Sequence, residues 1–151
     1  MHELLRRPEL YRQLQHDPSQ LPLAIEEMLR WTCPLHYFRR TATRDTVIRG
    51  QPIGEGERVV MLYSSANFDE DVFSEPMEFN IRRDPTPHLA FGHGIHLCLG
   101  ANLARMEARI FFEEFFRSFA GIESCGEPVF IRSNSIHGFK EMPVRLTPAA
   151  A

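Results

Sequence analysis

His88-Leu89-Ala90-Phe91-Gly92-His93-Gly94-Ile95-His96-Leu97-Cys98-Leu99-Gly100 sets one cysteine inside a glycine-punctuated loop, and a strongly helical run begins directly after it, near Ala101. A thiol so placed faces the unpaired N–H groups and the positive dipole end of the coming helix, a setting that suits a metal-binding thiolate. Gly92, Gly94 and Gly100 leave the backbone free to take φ > 0 and to lie close against a flat partner. Phe91 can pack on such a partner, and His88, His93 and His96 can meet an anion at its edge.

Three readings of that list compete. A lone cysteine beside a loop is commonly a small buried hydrophobe. His88, His93, His96 and Cys98 are also four potential zinc ligands, although zinc sites usually draw paired ligands from two separate elements. A planar iron cofactor with carboxylate side groups uses the thiolate, the glycines, the ring and the imidazoles together.

The pattern Phe91-Gly92-x-Gly94-x-His96-x-Cys98-x-Gly100 is similar to the haem-binding signature of the cytochrome P450 family at every fixed position. The resemblance implies haem b (iron protoporphyrin IX), with Cys98 as the axial thiolate that pushes electron density onto iron and favours O–O cleavage. Phe91, Gly92, His96 and Gly100 would surround the cofactor. His88 matches a position where the family often places a propionate contact.

Composition is compatible with this and excludes several alternatives. A chain of 151 residues can bury one real core, and its formal net charge of −3 is slight. The arginines are scattered, with no basic run interleaved with aromatics to suggest nucleic acid. No apolar stretch reaches membrane-spanning length, and no signal-peptide pattern opens the chain, so no membrane partner is expected. Cys33, Cys98 and Cys125 are too few and too odd in number for a disulfide framework, which points to a reducing cytoplasm.

Upstream, residues 3–31 read as helices. Leu4, Leu5, Leu10, Tyr11 and Leu14 are spaced for one buried face, and Pro8 suits a first helical turn, so one helix or two meeting near Arg7 are both compatible. Pro22 can open the next helix, on which Glu27 and Arg30 share a face as a surface-type i,i+3 pair. In the resemblance, Glu27-x-x-Arg30 is the family's E-x-x-R pair and Arg83 its third member, a clamp behind the haem. Thr32 to Arg40 reads as extended. The family's match at Asp45 makes Arg40 the partner of a haem propionate. Alternation along an extended segment then turns Arg39 away and puts His36 and Phe38 on the substrate side.

Residues 46–53 and 58–63 are two β-like runs around Gly54-Glu55-Gly56-Glu57 and read as a hairpin over 46–63 or a small sheet edge. Residues 72–87, with Pro76, Pro85 and Pro87, form an irregular meander into the loop 88–100. Residues 101–119 are the clearest helix, with Leu103, Met106, Ile110, Phe111, Phe115 and Phe119 as its apolar face. A β segment over 129–146 encloses a turn at 133–139. The family's corresponding turn enters the substrate pocket, which makes Ile136 a substrate-side candidate; a plain surface hairpin tip fits equally.

The expected fold class is therefore mainly α with small β-sheets (α+β), a single partial domain over 1–151 equivalent to the C-terminal portion of the P450 fold. The family's distal helix with its acid–threonine patch has no counterpart, since Asp45-Thr46 is the one Asp-Thr dipeptide and it lies in the propionate segment. The resemblance implies a bacterial-type, soluble haem-thiolate monooxygenase that inserts one atom of O2 into an apolar small molecule. Ferredoxin and ferredoxin reductase would serve the complete protein, and this chain would be a truncated fragment with no turnover of its own. The run from Phe38 to Asp45 is similar to members acting on sterols or long-chain lipids. The alternative is a non-catalytic haem- or zinc-binding remnant.

Overall fold

A computed structural model describes residues 1–83 and 88–150. The end of the expected meander, including Pro85 and Pro87, lies outside these described residues.

The amino-terminal segment forms two helices, α1 (His2–Arg6) and α2 (Pro8–His16), with Pro8 at the start of the second. Proline there gives up an N–H that has no helical partner anyway. A 3-10 turn (Pro18–Gln20), capped by the Asp17 carboxylate accepting from the Ser19 N–H, leads into α3 (Leu21–Thr32). Helix α3 stops at Cys33, which adopts a left-handed φ of 39°, and Pro34 follows. Burial pushes the Cys33 thiol up to about 11, so it is an inert packing group.

The core lies where α2 and α3 meet α5 (Ala101–Ser118). Leu14, Leu21, Ala24 and Ile25 pack there with Phe112 and Phe116, and Phe79 and Ile81 close it from the irregular segment. Tyr11 meets Phe116 edge-on at 5.0 Å and donates its hydroxyl to the Phe119 carbonyl at 2.8 Å. Phe112 and Phe116, four residues apart, make the buried stripe of α5. Much of the apolar face expected from the sequence points outward instead: Leu103, Met106, Ile110 and Phe111 are each about half exposed. The aromatic run is too dense for periodicity to single out which rings face α2 and α3.

The β-structure consists of four two-stranded antiparallel sheets among the described residues. Strand β1 (Tyr37–Thr41) pairs with β4 (Arg58–Leu62), and β2 (Thr46–Ile48) with β3 (Gln51–Ile53). The expected hairpin over 46–63 is thus redrawn. The first run folds on itself at Arg49-Gly50, where both residues take positive φ (48° and 81°) as a tight two-residue turn requires. The second run is then free to pair with β1. A short helix α4 (Tyr63–Ala66) follows β4. Carboxy-terminally, β5 (Phe119–Ser124) pairs with β8 (Val144–Pro148), and β6 (Val129–Phe130) with β7 (Phe139–Glu141). The helical and small-sheet content agrees with the expected α+β class.

Candidate functional site

The site is built on the loop 88–100, and its turns follow from its glycines. Gly92 and Gly94 have φ of 73° and 67°, where a side chain is strained. The reversal they produce lets the Cys98 N–H donate back to the Phe91 carbonyl at 2.9 Å. Leu97 N–H donates to Gly94 and Ala101 N–H to Cys98, carrying the chain from a 3-10 turn at Gly94–His96 into α5. A Cβ on Gly100 would stand 3.9 Å from Cys98 Sγ. Cys98 is exposed, as are Ile95, Leu97 and Leu99 around it, so it is not a buried packing residue.

Cys98 faces a cleft of roughly 440 Å³. Leu35, Phe38, Tyr63 and Phe91 give it apolar walls, and Arg40 and His96 also line it. Phe38 and Arg40 share one face of β1 by strand alternation, and Arg39 is turned away and exposed. One sulfur, one guanidinium and one imidazole around an apolar slot suit a flat cofactor with an iron to ligate and anionic side groups to pair. Among the described residues no cluster of three His, Cys, Asp or Glu side chains is arranged to hold a metal ion.

Behind the loop, Arg30 is fully buried. Its Nε and Nη2 donate to the two Glu27 carboxylate oxygens at 2.7 and 2.8 Å, and the remaining donors reach the carbonyls of Asn67 (2.7 Å), Pro76 (3.0 Å) and Glu78 (3.3 Å). Trp31, Phe68 and Phe73 enclose the guanidinium with centroids 5.0–5.7 Å away. Arg83 Nε lies 3.3 Å from Glu27 Oε2, close enough for an ion pair though not aligned as a hydrogen bond. The Arg83 Nη atoms donate to the carbonyls of Ser74, Glu75 and Glu78. Glu27 also accepts the Asn80 N–H at 2.9 Å. The structure therefore brings Glu27, Arg30 and Arg83 together around the irregular segment 74–80.

Two residues that sequence reasoning passed over connect this clamp to the loop. Asn67, fully buried, donates to the Arg30 carbonyl at 3.2 Å and accepts the Leu89 N–H at 2.6 Å. Glu26 accepts from Arg105 through both oxygens (2.6 and 2.8 Å) and from His88 Nε2 at 3.0 Å. Partial burial works against its ionisation, but the His88 and Arg105 hydrogen bonds outweigh that and hold the carboxyl at about 2. Two adjacent acids on an otherwise apolar helix were a signal for Glu26; nothing local marked Asn67.

His88, expected at a propionate, is engaged elsewhere. Nε2 is bound to Glu26 and Nδ1 accepts the Ala90 N–H at 3.2 Å, so neither ring nitrogen is free to face the cleft. His36 and Ile136 also stand outside the cleft lining. His36 stacks on His137 (centroids 5.1 Å), and Ile136 bridges to Leu35, the residue that does line it. His137 donates Nδ1–H to the Thr32 carbonyl at 2.7 Å and its N–H to Pro34, clipping the turn 133–137 onto the segment after α3.

The family profile described as Cytochrome P450 matches residues 2–135. The chain belongs to the cytochrome P450 family. It is 45% identical over 146 residues to cytochrome P450-terp of Pseudomonas sp., covering 97% of this chain and 34% of that protein. It is 43% identical over 150 residues to a steroid C26-monooxygenase of Mycobacterium tuberculosis (strain CDC 1551 / Oshkosh), covering 97% and 40%. The crystal structure of the P450 enzyme CYP109B1 from Bacillus subtilis superposes with a TM-score of 0.92 at 43% identity, over 96% of this chain and 40% of that one. The chain thus spans about 34–40% of the length of these P450 relatives. Among the described residues no helix is long and apolar enough to cross a membrane.

Proposed function

We propose that this P450 chain forms the thiolate side of a haem monooxygenase site, with Cys98 ligating the iron of haem b. The observation that carries the reading is that Cys98, Arg40 and His96 open into one apolar cleft. Haem, once bound there, supplies an iron that a thiolate makes competent for dioxygen activation.

Each protein group has a part in holding it. Arg40 and His96 bind the carboxylate edge, where charge-assisted hydrogen bonds are strongest. Phe91 packs against the ring and keeps water from the sulfur, and Gly92 and Gly100 let the backbone come close. Glu27, Arg30 and Arg83 position the segment leading to the loop. Arg30 satisfies the carboxylate and three carbonyls at once, a task for a planar five-donor fork. His88 belongs with this positioning set. Phe38 and Leu35 face the substrate side, with Ile136 behind Leu35.

The reaction of the whole protein is insertion of one oxygen atom from O2 into an apolar substrate. A sterol or lipid-like class is favoured by the resemblance of the Phe38–Asp45 run and by the steroid C26-monooxygenase relative. Electrons would come from a ferredoxin and its reductase in a reducing cytoplasm, a setting consistent with three free cysteines. The chain by itself is expected to hold haem without sustained turnover, because its cleft is open to water.

Titration of the purified chain with haemin, followed by absorbance and by quenching of Trp31, tests the reading. It predicts saturation at one haemin per chain and markedly weaker binding for Arg40→Ala. Saturation that Arg40→Ala and Cys98→Ala leave unchanged would overturn it.

A further inference from the structure

We propose that Glu26 is a positioning residue for the cofactor loop: one carboxylate on α3, shared between His88 and Arg105, that holds Phe91 and through it the backbone of Cys98.

The contacts form a closed circuit. Glu26 Oε1 accepts from Arg105 Nε, and Oε2 accepts from both Arg105 Nη2 and His88 Nε2. Arg105 then lies over the Phe91 ring, with its guanidinium carbon 4.7 Å from the centroid. The His88 ring stands 6.1 Å from the same ring, and its Nδ1 takes the Ala90 N–H, the amide just before Phe91. Phe91 is thus bracketed by two side chains anchored on one acid. Its carbonyl in turn accepts the Cys98 N–H. Glu26 also joins three parts of the chain, since α3 supplies the acid, α5 supplies Arg105 and the loop supplies His88.

The demand for a carboxylate is specific. Oε1 receives one donor and Oε2 receives two, so every contact requires an acceptor. A glutamine would place an NH2 against an N–H on one side and break an arm of the joint. Neither Cys98 nor the cleft touches Glu26 directly, so its effect reaches them through Phe91.

The consequence for haem rests on the reading of the cleft proposed above, but the contacts belong to the chain itself. The test therefore has two arms. Backbone amide hydrogen exchange is compared, without added haemin, between the parent chain, Glu26→Gln, Arg105→Lys and a control, Arg109→Gln. In Glu26→Gln the Ala90 and Cys98 amides should exchange at least about tenfold faster, as loss of a hydrogen bond to a charged group allows. The Leu14 and Phe112 amides in the core should keep their rates, Arg105→Lys should fall between, and Arg109→Gln should match the parent. Unchanged exchange at Ala90 and Cys98 would overturn the proposal. So would acceleration at Ala90 alone, or a uniform rise that includes Leu14 and Phe112.

In the second arm each chain is loaded with haemin, reduced and given CO. A smaller thiolate-ligated share in Glu26→Gln than in the parent is expected, and an equal share would count against the link to Cys98. A parent chain that bound no haemin would refute the reading of the cleft and leave the exchange comparison to decide on Glu26.

Discussion

Replacing Arg30 by methionine should destabilise the fold by about 3 kcal/mol, the low end of what breaking a buried ion pair costs. The side chain is fully buried and makes five hydrogen bonds, two to Glu27 and three to carbonyls. Its loss strands a Glu27 carboxylate that is also buried, with the Asn80 N–H and Arg83 as remaining partners. Those two contacts place the figure at the low end. With a urea m-value of about 1–3 kcal/mol/M, the midpoint should fall by roughly 1–3 M. Trp31, the chain's single tryptophan, packs on Phe68 at 5.4 Å and Phe79 at 5.6 Å beside the clamp, so its fluorescence reports the transition. The double variant Glu27→Gln/Arg30→Met should recover about 1 kcal/mol or more of the loss, since the stranded Glu27 charge is then gone and Arg83 keeps its carbonyl acceptors at Ser74, Glu75 and Glu78. The reasoning is refuted if Arg30→Met unfolds within about 0.5 kcal/mol of the parent, or if the double variant loses the sum of the two singles.

Asn67→Ala should cost about 2–3 kcal/mol, because it leaves the Arg30 carbonyl and Leu89 N–H without their partner, and urea melts will measure it. Gly92→Ala should cost about 1–2 kcal/mol through left-handed strain alone, since an added Cβ would meet the His96 carbonyl and Tyr63 hydroxyl at 3.5 and 3.6 Å, ordinary contact distances. Glu26 has its carboxyl lowered in the fold to about 2, so its stabilisation is present above the usual glutamate range and is lost as pH falls toward 2. Acid melts between pH 4.5 and 2 should therefore be steeper for the parent than for Glu26→Gln.

Helix starts and the turns of the loop 88–100 were legible because local chemistry determines them. Pro8 and Pro22 sit at helix beginnings, and Gly92 and Gly94 take the positive φ that their placement suggested, whereas Gly100 precedes α5 with an ordinary φ of −84°. Spacing alone put Glu27 and Arg30 on one face, but it could not distinguish a surface pair from a buried clamp. That difference comes from residues 67–80 wrapping the guanidinium, a contact between segments nearly forty residues apart and more. Strand partners were illegible for the same reason. β4 has a plausible neighbour in β3 but pairs with β1, once Arg49-Gly50 has closed the shorter hairpin. His88 was assigned by its position in a motif, and its actual partner, Glu26, lies 62 residues away on another helix.

The reduced, CO-treated spectrum of the haemin-loaded chain tests the central claim most directly. The account predicts a Soret band at the position characteristic of thiolate ligation, absent in Cys98→Ala. A band characteristic of nitrogen ligation, indifferent to that substitution, would contradict it.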